Sequence, residues 1–277
     1  MKRGIEMHEQ ALDITRDIGD RRREYYQLSC LGSAYHDLGQ VRRAIKIYKL
    51  DLTTAQEISN RRGEAAVLGK LGRAYSGLGK IRQAIEFYRQ ALVIARETGD
   101  RRRESYCLLG LSKALLATRK LAEAQQHCEE ALALEVPETS FQAAIALGIA
   151  LLHQRDRAAG ETFASAAARC RTMLDKTDDL YEARYALAAD LVGQAVCDPR
   201  WANEGKRAEL LAPALVEYRG ALEVTSAPGI VHDAIHDLEL IQAAGIDGLE
   251  PVFELLESAE YEPDLPEDLS DISEEVA

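Results

Sequence analysis

Apolar residues recur along this chain at helical spacing, and the pattern itself repeats. Between Arg61 and Asp100, Leu68, Leu71, Ala74, Tyr75 and Leu78 mark one face of an amphipathic helix. Ile81, Ala84, Ile85, Tyr88, Ala91, Leu92 and Ala95 mark a second. Gly79 breaks the first helix, Gly99 closes the second as a left-handed cap, and Asp100 stands at the N-cap of the next. A shift of 40 residues in either direction finds the same unit. Leu31, Leu71 and Leu111 align, as do Gly32, Gly72 and Ser112, then Tyr35, Tyr75 and Leu115. Ala44, Ala84 and Ala124 follow, with Tyr48, Tyr88 and Cys128 after them. A fixed period of this size predicts a solenoid of stacked helix pairs. Gly72, Ala74, Ala84 and Ala91 let paired helices approach closely, and Tyr75 and Tyr88 fill the space between neighbouring pairs.

The ends of the chain depart from the period. Residues 1–20 align with Ile81–Asp100, so the chain starts on the second helix of a repeat. Ile5, Ala11, Leu12 and Ile14 are then expected to lack a partner, which points to a fragment of a longer protein, or else to an element supplied by another chain. Self-association through that open edge is also expected. Residues 1–137 read as a regular array. Residues 138–258 read as degenerate pairs: Phe141–Leu152 with Ala158–Leu174, Leu180–Val196 with Glu204–Val224 (kinked or broken at Pro213), and Val231–Ala244 with Leu249–Glu257. Residues 259–277 form an acidic tail whose eight acids, no base and two prolines predict disorder.

Leu71, Gly72, Tyr75, Ala84, Tyr88 and Ala91 together resemble the small-and-large signature of the tetratricopeptide repeat. The early tryptophan and late proline of its 34-residue form are missing, and the spacing is similar to the long-helix variety of kinesin light chains, spindle-orientation scaffolds and bacterial signalling proteins. The resemblance implies an all-α fold, a right-handed α-solenoid of antiparallel helix pairs. The 40-residue repeats and the closing DAIHDLELIQAAGIDGLEPVFELLE also resemble the C-terminal sensor region of bacterial STAND-class signal-transduction ATPases. That resemblance implies an upstream nucleotide-binding domain on the same polypeptide.

Composition narrows the picture. The first proline is Pro137, which suits uninterrupted helices before it. Five cysteines without a C-x-x-C pair read as free thiols in a reducing compartment. The longest apolar run, Ala143–Leu152, is too short to span a bilayer, and the first twenty residues lack the apolar core of a secretory signal. A cytoplasmic location without membrane contact is expected.

No phosphate-binding loop is present, because Gly79-Lys80 is followed by Ile81 and Ala74 stands where the earlier glycine belongs. His232 and His236 sit one turn apart, but Asp233 replaces the glutamate of a zinc-peptidase motif and no third ligand follows, so a solvated helix face is the better account. No cofactor, metal or catalytic group is expected, and the chain reads as no enzyme. Arginine clusters at Arg21–Arg23, Arg61–Arg62 and Arg101–Arg103 would stack along one edge. Neighbouring acids, a net charge of −12 and the absence of interleaved aromatics argue for internal pairing and against nucleic acid.

What remains is recognition of a protein or peptide. By register with the signature leucine, the exposed side of the first helices carries Tyr26, Ser29, Ser33, His36 and Asp37 in one repeat. Arg73 and Ser76 follow in the next, then Tyr106, Leu109, Lys113 and Leu116. The lysine/asparagine carboxylate clamp of chaperone-binding repeats is not reproduced. These residues are the candidate groove of a binding module. It is read as the ligand-sensing or autoinhibitory part of a signalling ATPase, with a free-standing adaptor as the alternative.

Overall fold

The apolar stripes become helices that pack chiefly on their neighbours in the chain. The computed structural model describes residues 2–175, 177 and 180–259, and the acidic tail from 260 onward lies outside the described residues. The helices are α1 (Lys2–Asp17), α2 (Arg21–Asp37), α3 (Val41–Glu57), α4 (Arg61–Gly77), α5 (Ile81–Glu97), α6 (Arg101–Ala117) and α7 (Leu121–Ala133). The less regular half adds α8 (Pro137–His153), α9 (Ala158–Leu174), α10 (Tyr181–Cys197), α11 (Glu204–Val224), α12 (Pro228–Gln242) and α13 (Glu250–Glu257), with a short 3-10 turn at Pro199–Ala202. No strand occurs among the described residues. Even-numbered helices α2 to α10 form the inner layer, each touching the next even helix as well as its odd partners.

The repeat unit is built by three local devices. Asp20, Asn60 and Asp100 each accept the backbone N–H three residues on, capping α2, α4 and α6. Helix-to-helix turns pass through a left-handed residue, supplied by Gly19, Gly39, Gly79 and Gly99. Ser59 and Arg119 hold the same register position with positive φ and no glycine. Left-handed backbone strains a side-chain-bearing residue, so Ser59→Gly is expected to raise the unfolding free energy by up to about 1 kcal/mol. Chemical denaturation checks this, and a loss of stability would show that the turn is not under strain.

The third device is an aromatic wedge. The Tyr88 ring of α5 lies between Gly72 of α4 and Gly110 of α6, where a Cβ would come within 2.8 and 2.3 Å of ring atoms. Phe163 of α9 does the same between Gly148 and Gly193, at 2.7 and 2.5 Å. The irregular half thus keeps the packing rule after the sequence signature has faded. Cys107 and Cys128 sit wholly inside this core, and burial pushes both thiols up to about 12.

Several details differ from the sequence pattern. Helix α8 starts at Pro137, four residues earlier than expected, because proline is well placed in a first turn. Helix α11 continues unbroken through Pro213. At the N-terminus, α2 covers Ile5 and Leu12, which are buried, contrary to expectation. Ile14 alone behaves as expected: it is 60% exposed, whereas its counterpart Ile94 is 6% exposed. Met7 of α1 and Ile18 in the turn after it are exposed as well.

The expected arginine edge is largely internal. Arg21 bonds Glu24 and Glu57, and Arg61 bonds Glu64 at 2.6 Å and Glu97 at 2.7 Å. Arg101 donates to the Leu134 carbonyl at 2.8 Å. Each of these clasps closes inside its own repeat.

Candidate functional site

Helix α12 does not stack as one more repeat. It crosses to the inner layer and packs against α2, α8 and α10. Its sequence explains the docking: Val231, Ala234, Ile235, Leu238, Leu240 and Ile241 make an apolar surface, and all six are buried. Asp233 and Asp237 stand one turn apart beside that surface.

The carboxylates meet cations that occupy one register position in successive repeats. Arg73 of α4 reaches Asp233 Oδ2 through Nη2 at 2.6 Å and Nε at 3.0 Å. Lys113 of α6 places Nζ 2.6 Å from Asp237 Oδ1 and 2.9 Å from Oδ2. Burial pushes Asp233 up, but Arg73, His36 and Lys113 outweigh it and hold the carboxyl below its ordinary value. The first pair is more than a third exposed and is screened, whereas the second is mostly buried and costly to break from one side.

Backbone contacts complete the seat. His153 of α8 donates from Nε2 to the Leu240 carbonyl at 2.7 Å, and Arg119 donates to the Ala243 carbonyl. At the other end Gly229 lies so close to α2 that a Cβ would meet the His36 carbonyl oxygen at 2.5 Å. Helix α12 therefore runs along the C-terminal halves of the inner helices, from α2 to α8.

The expected groove residues fall into three groups. Arg73 and Lys113 are brought together on α12 as ion-pair partners. His36, Leu109 and Leu116 were expected to be exposed and are instead buried, Leu109 and Leu116 within the hydrophobic core. A register argument that assumes open solvent fails at these three positions. Tyr26 is exposed. Ser29, Ser33, Asp37, Ser76 and Tyr106 are half-buried.

Ser29 is committed to a second polar cluster. Lys70 Nζ donates to Ser29 Oγ at 2.7 Å and to its carbonyl at 3.1 Å, and Ser33 Oγ donates to the same carbonyl at 3.0 Å. Wholly buried Asp51 lies close by. Burial raises its carboxyl to about 7, with Lys70 and Ser29 pulling the other way. Tyr106 lies over Gly69, 3.3 Å from where a Cβ would stand.

The pair His232 and His236 rides on α12, so the expectation of a solvated face holds for one of them only. His232 is exposed near Gly77, while His236 is half-buried with Nδ1 3.3 Å from Glu239. Among the described residues no group of three or more His, Cys, Asp and Glu side chains is arranged to hold a metal ion.

Sequence reasoning missed Asp233, Asp237, Arg119 and His153. The available signal was Leu109 and Leu116, two leucines in a register otherwise held by Ser29, Gly69, His36 and Ser76. An apolar side chain at an inner-face position announces that something covers it.

Comparison with known proteins agrees with this architecture. Residues 25–97 match the family model described as tetratricopeptide repeat. Among solved structures, BtubC (BKLC) from P. vanneervenii superposes with a TM-score of 0.58 at 20% identity, covering 82% of this chain and 91% of that one. A Podosopora anserina putative kinesin light chain with nearly identical TPR-like repeats gives a TM-score of 0.50 at 18% identity, covering 72% and 97%. Likeness at this level of identity is a likeness of fold. No curated protein matches the sequence. Among the described residues no helix is long and apolar enough to cross a membrane.

Proposed function

We propose that this chain is a non-catalytic protein- or peptide-binding module whose recognition surface is the inner layer of α2, α4, α6 and α8. One observation carries the reading. A helix from far along the chain is already seated on that layer through side-chain ion pairs and backbone carbonyls, so the surface is built to hold a helical polypeptide. Regular repeats over residues 1–137 would supply the cations, and the pairs of 138–258 would supply the occupant.

In finer terms, the module is the ligand-sensing, autoinhibitory region of a larger bacterial signalling ATPase. A self-occupied groove suits a protein held in one of two packed states. A free-standing adaptor that gathers partner proteins in the cytoplasm is the alternative, and it uses the same face. The reading frame upstream of Met1 separates them, since a nucleotide-binding module there supports the sensor and an independent promoter supports the adaptor.

The binding face itself is tested by a photo-crosslinking amino acid placed at Ser76 on the inner layer or at Val93, which is exposed on α5. In native lysate, protein adducts are expected from Ser76 and not from Val93. Adducts from Val93 alone, or from neither position, would overturn the reading.

A further inference from the structure

Three features of α12 set it apart from the rest of the solenoid. It lies on helices distant in the chain, across 160 residues for Arg73–Asp233 and 124 for Lys113–Asp237. Its connections are short. Residues 225–227 lead in, and the segment leading out passes through Gly245 and Gly248 with φ of 86° and 90°. Its polar contacts are also of a kind that another helix can copy: two carboxylates one turn apart and carbonyls at a helix end.

The match of spacings is the specific point. Arg73 and Lys113 are the same position in consecutive repeats, so their separation is fixed by how the solenoid stacks. Asp233 and Asp237 are separated by one turn of an α-helix, a rise of about 6 Å. On α12, acids at i and i+4 present one carboxylate to each of two successive repeats. An apolar stripe must run beside them, because Val231, Ala234, Ile235, Leu238, Leu240 and Ile241 of α12 are all buried. A polar helix with scattered acids would bury no such stripe and would lose that part of the attraction.

We propose that the inner layer selects amphipathic helices bearing two carboxylates at i and i+4, and that α12 is the resident copy of that ligand, which a partner helix of the same chemistry displaces. The proposal rests on the reading of this layer as the recognition surface and names its ligand class. Displacement costs the partner nothing in kind, since it offers the same apolar stripe and the same acids. The affinity seen from outside is lowered by the fraction of time α12 is seated. Freed α12 swings on the glycines at 245 and 248 while α11 and α13, which touch each other directly, stay in place.

The probe is a fluorescent peptide with the sequence of residues 228–243, added in trans to the full chain. An opened chain carrying Asp233→Asn and Asp237→Asn is expected to bind it at least ten-fold more tightly than the unaltered chain. A peptide with asparagine at both positions should lose at least ten-fold on the opened chain. Adding Arg73→Gln and Lys113→Gln to the opened chain should erase the gain. Equal binding of the acidic and asparagine peptides, or no gain on opening, overturns the proposal. Should the opened chain lose its helical circular dichroism, the unaltered chain gives the answer by hydrogen exchange. Excess acidic peptide is expected to speed exchange at 231–241 while 204–224 is unchanged, and no change at 231–241 overturns the proposal. Failure here together with crosslinks from Ser76 would leave the binding face standing and remove only the resident-ligand idea.

Discussion

Truncating Tyr88 to alanine will lower the unfolding free energy by about 3–5 kcal/mol, the range for emptying a large aromatic site in a packed core. The ring is buried and wedged between glycines on two successive inner helices, so its loss opens a cavity bounded by residues with no side chain to collapse into it. A sign reversal makes the account testable. In the unaltered chain Gly72→Ala would place a Cβ 2.8 Å from the Tyr88 ring and should destabilise by about 1–3 kcal/mol through overpacking. In the Tyr88→Ala background the clash is gone and the same change should stabilise, since alanine favours a helix interior over glycine by about 1 kcal/mol. Urea melts of the four proteins complete the cycle. If Gly72→Ala destabilises both backgrounds equally, the wedge is not what requires glycine there.

Asp190→Asn is expected to stabilise the protein at alkaline pH and to flatten its pH dependence. Asp190 of α10 is wholly buried, and the polar side chain next to it is the Cys170 thiol, 3.8 Å from Oδ2. Burial raises the carboxyl to about 9; Cys170 and Arg171 oppose the shift, and Asp237 of α12 adds to it. The sign follows from proton counts. Between about 4 and about 9 the folded chain keeps this proton and the unfolded chain has released it. Stability from this group is therefore full at acid pH and falls as pH rises towards 9, at up to about 1.4 kcal/mol per pH unit. Asparagine keeps the shape and carries no proton to lose. The difference in unfolding free energy between variant and unaltered chain should grow in the variant's favour from pH 5 to pH 9. A difference that stays constant over that range would mean Asp190 is not titrating in the folded state.

The repeat was legible because a solenoid writes its packing rule once per unit. Leu71, Gly72, Tyr75, Ala84 and Tyr88 each recur 40 residues earlier, so one packing rule is written in the sequence more than once. Capping by Asp100 and the left-handed turn at Gly99 are local too, and both are where the sequence placed them. Helix α12 was legible as a helix but not as an occupant. Its apolar period says that one face is buried, without saying against what. His36, Leu109 and Leu116 were misplaced because register gives the direction of a side chain and says nothing of what packs over it. At the N-terminus, Ile5 and Leu12 were misjudged because α2 covers that side of α1, while Ile14 lies on its exposed side.

The arginine clasps and the α12 seat differ in what they measure. Arg21 with Glu57, and Arg61 with Glu97, close within single units, so duplicating or deleting a whole unit would leave every such clasp intact. Copy number would be free to drift if they were all that held the array. Helix α12 has a fixed length, about 22 Å for its 15 residues, and touches α2 at one end and α8 near the other. An added unit would carry Lys113 and His153 out of its reach. The docked helix thus acts as a ruler, making the number of repeats ahead of it a quantity the fold itself can count.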